Sequence, residues 1–477
     1  MSYCATSLCS AQRFLRRLSC TVALVLLVTL APQASASQSD VTAVLREAVT
    51  RLEAGKLNEA ESLIRRAIAM SPQNADAHTL LGVVMDQRGQ AAEAEREYRE
   101  ALRLNPKAIS ALANLGVLLA RTNRASEAIQ AFETVLRAMP DQVPATVNLG
   151  LLYAVRGDYE RALPLLERAD VMRPNTFEIR YRLAVALYHR NRFAEAASAF
   201  ESAATLSLNA PEPFYYLGLI ASARGASEAA IEYWQRAIAR RAVYAEANFM
   251  IGEELLKLRR LEAAQAFYER ALAQDPAKLV YYARLGGVDL SLKHYEQAVD
   301  VFERAAQHFP DIAEAHYFLG IAARSKGAFD GAEAAFRKSL ALRNDNVDAL
   351  AQLGYIIGEQ GRYTEAETLL RRAIALGDKH IYAHYNLGRY LVKQQRYTEA
   401  LPILQRGATL SADCPEIHYQ LFLALSRLKR KDEADRELAI FKQLEAAGKT
   451  RQLQISCEAD NALPVVAPPS SLAPKNH

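Results

Sequence analysis

The sequence predicts an all-α chain, an α-solenoid superhelix of stacked antiparallel helix pairs, and three observations predict it. First, stepping 34 residues at a time without a gap from Leu81-Gly82 meets Gly116, Gly150, Gly218, Gly252, Gly286, Gly320, Gly354 and Gly388, with Ala184 at the one skipped step. Each of these is preceded by Leu or, once, by Ile251. Second, alanine recurs twelve times out of twelve at the same step, from Ala60 through Ala94 and Ala128 to Ala434. Third, a large apolar residue follows each alanine by four, among them Phe132, Trp234, Tyr268 and Phe302. A period of this length marks an architecture in which each repeat buries its apolar face on its neighbours. Twelve 34-residue repeats thus run from Val41 to Gly448 as one array, in place of the roughly three ordinary domains expected of 477 residues.

Residues 1–36 precede the array and read as a secretory signal peptide. They hold Arg13, Arg16 and Arg17, no acid, an apolar run from Val22 to Leu30, and then Ala34-Ser35-Ala36, after which cleavage is expected. The run is about half of the ~20 residues that a spanning helix needs, so no stable transmembrane anchor is expected. The alternative is a protein tethered to the membrane by an uncleaved signal. Residues 37–40 read as a short linker. The formal charge of the whole chain is +4; with the three arginines gone, 55 basic residues face 54 acidic ones, and no nucleic-acid partner is implied.

Within a repeat the Leu-Gly pair occupies positions 7 and 8. Positions 4, 7, 8 and 11 fall within about 100° on a helical wheel, which predicts a first helix whose apolar stripe has a small residue where a second helix can come close. A glycine inside a helix costs about 1 kcal/mol against alanine, so its repetition implies that close approach returns more. The second helix carries Ala at position 20, a large residue at 24 and usually Ala at 27, an alternation that lets ridges fill grooves. Between the two, position 15 is Gly55, Gly89, Asn123, Gly157, Asn191, Gly225, Gly327 or Gly361 in eight repeats, residue types that enter the left-handed region at a helix end. Prolines at position 32 close six repeats: Pro72, Pro106, Pro140, Pro174, Pro276 and Pro310. Pro164 and Pro402 lie early in their second helices and are expected to kink them or delay their start.

The ends of a stack should differ from its middle, and they do. The first repeat has Glu47 and Ala48 where Leu-Gly is expected, and the last has Phe422 in place of Gly and Phe441 in place of Ala. Residues 449–477, with Pro464, Pro468, Pro469 and Pro474 among small and polar residues, read as a disordered tail. Cys4, Cys9 and Cys20 leave with the signal. Cys414, just before the last helix pair, and Cys457, nine residues past its end, are expected to form a disulfide, because a helical hairpin returns the chain to the level where it began.

A 34-residue step carrying Leu-Gly, then Ala, a large residue four later and a closing Pro resembles the tetratricopeptide repeat, over 408 of the 477 residues. Position 4, where that family often has Trp, departs from it, with His78, Thr146, Arg180, Asn248, His316, His384 and His418 among its occupants. The resemblance implies a protein-protein interaction scaffold that holds an extended partner segment in a concave groove lined by positions 2, 5, 9, 12 and 13 of the first helices. Position 5 is Tyr181, Tyr215, Phe249, Tyr317, Tyr385 or Tyr419 in six repeats, with Tyr188 and Tyr355 nearby. Such rings either hold peptide side chains or sugar faces, or pack neighbouring repeats together; residue types alone leave both open. Asn114, Asn148 and Asn386 at position 6 match the asparagines in the helical arm of protein O-linked N-acetylglucosamine transferase. The carboxylate clamp of the chaperone-tail binders is not assembled, since Ala113 and Val117 stand where its first pair should precede Asn148.

No phosphate-cradling glycine loop, nucleophile elbow or paired-cysteine metal motif is present in the sequence. His380 and His384 are four apart, as two metal ligands on one helix face would be. Yet four of the nine histidines, His78, His316, His384 and His418, share position 4, which points to packing rather than ligation. No enzyme, cofactor or metal is expected. The expected function is a scaffold of the cell envelope, periplasmic or secreted, with proteins or peptides as partners. The alternative is a carbohydrate-binding or accessory arm of an envelope polysaccharide or glycosyltransferase system, with a glycan as ligand.

Overall fold

The structure is a computed structural model and describes residues 36–451. Every regular element among them is a helix, and adjacent helices pair within each 34-residue repeat. Contacts group the chain into two compact units that divide between Ile220 and Ala221. In the first unit α1 (Ala36–Glu53) packs on α2 (Leu57–Met70), α3 (Ala75–Gln87) on α4 (Ala91–Leu104), α5 (Ile109–Arg121) on α6 (Ala125–Ala138), α7 (Val143–Val155) on α8 (Tyr159–Met172), and α9 (Phe177–His189) on α10 (Phe193–Leu206). The division falls within α11 (Glu212–Ala223). The second unit continues with α12 (Ser227–Arg240), then the pairs α13 (Ala245–Lys257) and α14 (Leu261–Gln274), α15 (Leu279–Ser291) and α16 (Tyr295–His308), α17 (Ala313–Lys326) and α18 (Phe329–Leu342). It closes with α19 (Val347–Glu359) and α20 (Tyr363–Leu376), α21 (Ile381–Lys393) and α22 (Tyr397–Leu410), and α23 (Pro415–Arg427) and α24 (Lys431–Arg451). Each unit is an α-solenoid of stacked helix pairs.

The small and large residues do what their spacing predicts. A Cβ built on Gly286 would lie 2.3 Å from the Phe302 ring, and one on Gly82 2.5 Å from Tyr98. Position 8 is therefore where the position-24 side chain of the same repeat lies across the first helix. The position-20 alanines are buried in all twelve repeats, and the position-24 residues from Ile64 to Leu404 are buried with them. In the last repeat Leu438 is half-exposed, as a side chain with no following repeat to cover it must be.

The turn between the two helices is the same twelve times. The residue at position 16 donates its backbone N–H to the carbonyl five residues earlier, as Lys56 to Arg51, Arg260 to Leu255 and Arg430 to Leu425, which is a Schellman turn. That geometry needs a positive φ at position 15, and every repeat has one. Eight take it with the expected Gly or Asn; Arg259, Lys293, Gln395 and Lys429 adopt φ of 59 to 62° without either.

Four expectations are corrected or extended. Pro164 and Pro402 do not delay their helices, since α8 and α22 start in step with the rest and span 14 residues like their neighbours. Proline sits sixth in each, past the first turn, and the residues whose carbonyls lose a donor, Glu160 and Thr398, are exposed to water. Residues 37–40 are not a linker but the first turn of α1, which nothing between Ala36 and Glu53 interrupts with Pro or Gly. At the other end α24 runs to Arg451, three residues beyond the expected limit of the array. Cys414 is buried and disulfide-bonded, whereas Cys457, the signal segment 1–35 and the tail from 452 lie outside the described residues.

Candidate functional site

The first helices of neighbouring pairs touch one another, α1 with α3, α3 with α5, α5 with α7 and α7 with α9 in the first unit, α15 with α17, α19 with α21 and α21 with α23 in the second. The second helices approach each other less. Within each unit the first helices thus form the tighter, inner side, and their positions 2, 5, 9, 12 and 13 face away from the second helices.

In the first unit the structure brings Tyr181, Tyr188 and Tyr215 together around a ring that the sequence reading passed over, Tyr216. Tyr216 stacks on the buried Phe200 with centroids 4.9 Å apart, and meets Tyr188 at 5.3 Å, Tyr215 at 6.0 Å and Tyr181 at 6.2 Å. Burial holds the Tyr216 hydroxyl well above the ordinary tyrosine range. The Arg182 guanidinium lies 5.5 Å from the Tyr181 ring and donates from Nε to Glu178 at 2.6 Å, so this cluster is closed and neutral. Asn148 is half-buried and spends its amide N–H on the carbonyl of Pro144, 2.8 Å away, while Asn114 is half-buried on α5.

In the second unit Phe249, Tyr317 and Tyr419 each stay with their own neighbourhood. Phe249 packs on Tyr268 and Tyr281, at 5.6 and 4.9 Å, and Tyr317 on Phe336 at 5.8 Å. Tyr419, 39% exposed, leans on Phe441 at 5.2 Å. Tyr355 and Tyr385 instead converge on Arg389, whose guanidinium carbon lies 5.6 Å from each ring and 4.9 Å from that of Tyr390. Gly358 makes room for this: a Cβ there would stand 2.2 Å from the Tyr390 ring. Tyr390 donates its hydroxyl to the backbone carbonyl of Tyr355 at 2.8 Å and receives an N–H from Arg389 Nη2 at 3.0 Å. Arg389 Nη2 also donates to Glu359, and Arg324 lies 5.8 Å from the Tyr355 ring. Asn386 is fully buried; its amide N–H goes to the Tyr382 carbonyl at 2.8 Å, and its Oδ1 has no hydrogen bond.

Sequence reasoning found the rings but not Tyr216, Tyr382, Arg324 or Arg389. Their positions, 6, 2, 12 and 9, are groove or groove-edge positions, and reading those for cations as well as for aromatics would have flagged the arginines. Three of the acidic residues at position 2 pair with a cation at the far end of their own repeat: Glu246 with Lys278 at 2.9 Å, Glu314 with Arg343 at 2.7 Å, and Asp348 with His380 at 3.0 Å. The position-4 histidines share a role that packing alone does not describe. Each donates Nε2–H to the carbonyl six residues back: His78 to Pro72, His316 to Pro310, His384 to Asp378 and His418 to Ala412, at 2.9 to 3.2 Å. His380 accepts the N–H of Ala383 on Nδ1 and donates from Nε2 to Asp348, so it and His384 are engaged in different directions.

With that geometry in view, the comparisons with known proteins are consistent along the chain. Models of the tetratricopeptide repeat match residues 147–211, 284–348, 352–416 and 245–278, and the model of the middle TPR-like domain of cilia and flagella-associated protein 70 matches residues 30–173. The chain belongs to the tetratricopeptide-repeat family. No curated protein matches it. Among solved structures, yeast Tom70 is 15% identical, over 87% of this chain and 100% of its own, with a TM-score of 0.34. YrrB, described as a TPR protein with an unusual peptide-binding site, is 24% identical over 42% of this chain and 99% of its own, with a TM-score of 0.34. MamA from Desulfovibrio magneticus RS-1 is 21% identical over 35% of this chain and 96% of its own, with a TM-score of 0.33. Among the described residues no helix is long and apolar enough to cross a membrane, and no group of three or more His, Cys, Asp or Glu is placed to hold a metal ion.

Proposed function

We propose that this chain is an exported, non-catalytic scaffold that holds an extended segment of a partner protein against the inner faces of its first helices. The observation that carries the reading is the state of the rings there. Tyr215, Tyr317, Tyr355 and Tyr419 are each packed on one side and open to solvent on another. Side chains so anchored lose little further entropy when a partner covers them, which is how aromatic residues become binding anchors. Ring faces in these clusters are largely covered by other rings, as Tyr216 by Phe200 and Phe249 by Tyr281. That favours peptide side chains over a sugar face as the occupant.

Two features support export: the order of charges and apolar residues in 1–36, and the disulfide-bonded Cys414, since disulfides persist in oxidising compartments. We assign its partner as Cys457. A photo-crosslinking residue placed at Tyr419 or Lys393 on the inner face, and at Arg270 or Lys338 on exposed faces of second helices, tests the scaffold reading in the native host. Partner adducts are expected from the first two sites; equal labelling from all four, or labelling from the outer pair alone, would overturn it. Mass spectrometry of the native protein should find an N-terminus at Ser37, and an intact precursor would remove the export part.

A further inference from the structure

We infer that the open end of the array, the face of the last helix pair that no repeat follows, is covered by the chain's own segment 461–467, laid over it in extended form. This rests on the assignment of Cys457 as the partner of Cys414, and it is independent of what the inner faces bind. In the other repeats the face toward the next pair has room for a helix. Position 27 is fully buried in each repeat from Ala67 to Ala373, and in the last repeat but one a Cβ on Gly407 would stand 3.1 Å from Ile417, on the first helix of the pair that follows. The last pair is built otherwise. Phe441 holds position 27 and Phe422 position 8, and both are half-buried, as is Leu438 one turn before Phe441. Tyr419 joins the two phenylalanines, its ring 5.2 Å from that of Phe441 and 6.2 Å from that of Phe422. The Phe441 ring fills the space that a next helix would take, so a helix cannot dock here as the others do. Apolar surface is left facing water all the same, and what fits it is slimmer than a helix.

The chain supplies such a segment at the right place. Position 27 lies beside the start of its own repeat's first helix, since a Cβ on Gly407 would also stand 3.4 Å from His384. Phe441 is therefore level with the start of α23, where Cys414 is disulfide-bonded. A bond to Cys457 delivers the chain to the edge of the open face, and Leu463, six residues on, reaches up to about 20 Å from there, farther than the ~10 Å width of a helix. From Asn461 to Pro474 the sequence has no charged residue, and Leu463-Pro464-Val465-Val466-Ala467 is apolar throughout. Glu458 and Asp460 fall before that stretch and Lys475 after it, so the charges stay off the covered surface. Proline and β-branched residues favour an extended backbone before any contact is made, which lowers the entropy lost on docking, and extended proline-containing segments suit a surface lined by aromatic rings.

The test uses the full mature chain in its oxidised form. A photo-crosslinking residue in place of Val466, in an equal mixture of light and heavy isotope-labelled chains, is expected to give adducts within one chain, to peptides from 415–445, and the same digest should contain the Cys414–Cys457 crosslink. Leu463→Asp combined with Val466→Asp should quicken hydrogen exchange of α23 and α24 roughly fivefold to tenfold with the disulfide intact. Ser470→Asp combined with Ser471→Asp adds the same charge beyond the apolar stretch and should change that exchange by less than about twofold. All four substitutions lie outside the repeats, so the array folds in both variants. Equal exchange in the two variants, or adducts to the inner faces of α19 and α21, would overturn the inference. Adducts between light and heavy chains would overturn it too, and would make the open face an interface between copies. A digest without the Cys414–Cys457 peptide would overturn the disulfide assignment and this inference with it, while leaving the groove reading in place.

Discussion

At the scale of single residues, the fold places two kinds of side chain where they cost stability. Lys293 and Gln395 occupy the left-handed turn position at φ of 61 and 62°, where a Cβ crowds the following carbonyl by about 1–2 kcal/mol. Replacing either with Gly frees that strain and gives back part of it as unfolded-chain entropy, so each substitution should raise stability by about 0.5–1 kcal/mol in urea denaturation. At Gly286 the opposite holds. Alanine there gains about 1 kcal/mol of helix propensity but drives a methyl into the Phe302 ring, and a net loss of about 1–2 kcal/mol is expected. Asp289 is buried on α15, and burial, opposed by an N–H from Gln265 at 2.6 Å and by nearby His294, pushes its carboxyl up to about 6. In the unfolded chain it ionises near its ordinary 3.8. Between those two values the unfolded state loses the proton first, so this group lowers stability as pH rises from about 4 to 6 and costs a constant amount above. Asp289→Asn, which still accepts from Gln265, should therefore stabilise the chain by about 2 kcal/mol at pH 7.5 and hardly at all at pH 4. Equal gains at both pH values in thermal unfolding would show that charge is not the cause.

At the scale of helices, a second periodic device runs outside the apolar stripe. Arginine at position 16, just after the turn, grips the glutamate at position 19: Arg124 holds Glu127 through Nε and Nη2 at 2.7 and 2.6 Å, and Arg192, Arg396 and Arg430 repeat the fork. The remaining nitrogen reaches back to the preceding repeat, from Arg124 to Glu95 at 2.8 Å, Arg192 to Glu167 at 3.1 Å and Arg362 to Glu333 at 2.8 Å. Each such arginine thus ties a turn to its neighbour. The pattern was present in the sequence, but ion pairs on solvated surface carry no periodic signature beyond that of the repeat itself, so the apolar step alone drew the eye. Of the six repeats with arginine at position 16, one lacks the fork. Ala263 stands where the glutamate should be, Arg260 touches only the exposed Glu228 among the described partners, at 3.3 Å, and a crevice of about 370 Å³ opens over Ile231, Leu255 and Phe267. Ala263→Glu should complete the grip and raise the melting temperature by roughly 1–2 °C at low salt, an effect that 1 M salt removes. A rise that survives high salt would mean that filling the crevice, and not the ion pair, is what stabilises.

At the scale of the molecule, what could be read ahead was whatever the 34-residue step repeats: helix pairing, the turn, the buried small and large residues. What could not be read is which side chains meet between repeats, because that depends on the angle between successive pairs, and a spacing along the chain does not encode an angle. Tyr216 joins four rings and Arg389 three for that reason, and neither stands at position 5, where the sequence places its aromatic candidates. The end of the array is a further case. A repeat array is weakest at its last pair, which has a neighbour on one side only, and here Leu438 is already half-exposed. Cys414 lies buried at the start of α23, so a disulfide from it to Cys457 would close a loop around that last pair and oppose its fraying. For a loop of this length the chain-entropy account gives about 4 kcal/mol, enough to decide whether the terminal pair is folded. In the non-reduced mature protein no free thiol should titrate, and hydrogen exchange of α23 and α24 should quicken on reduction while the inner pairs of the second unit stay as they were. Cys457→Ser should reproduce the reduced behaviour without any reductant. If instead Cys457→Ser leaves α24 as protected as before and its thiol titrates in the parent protein, the bond to Cys414 comes from elsewhere, and the last pair owes its stability to packing on α21 and α22 alone.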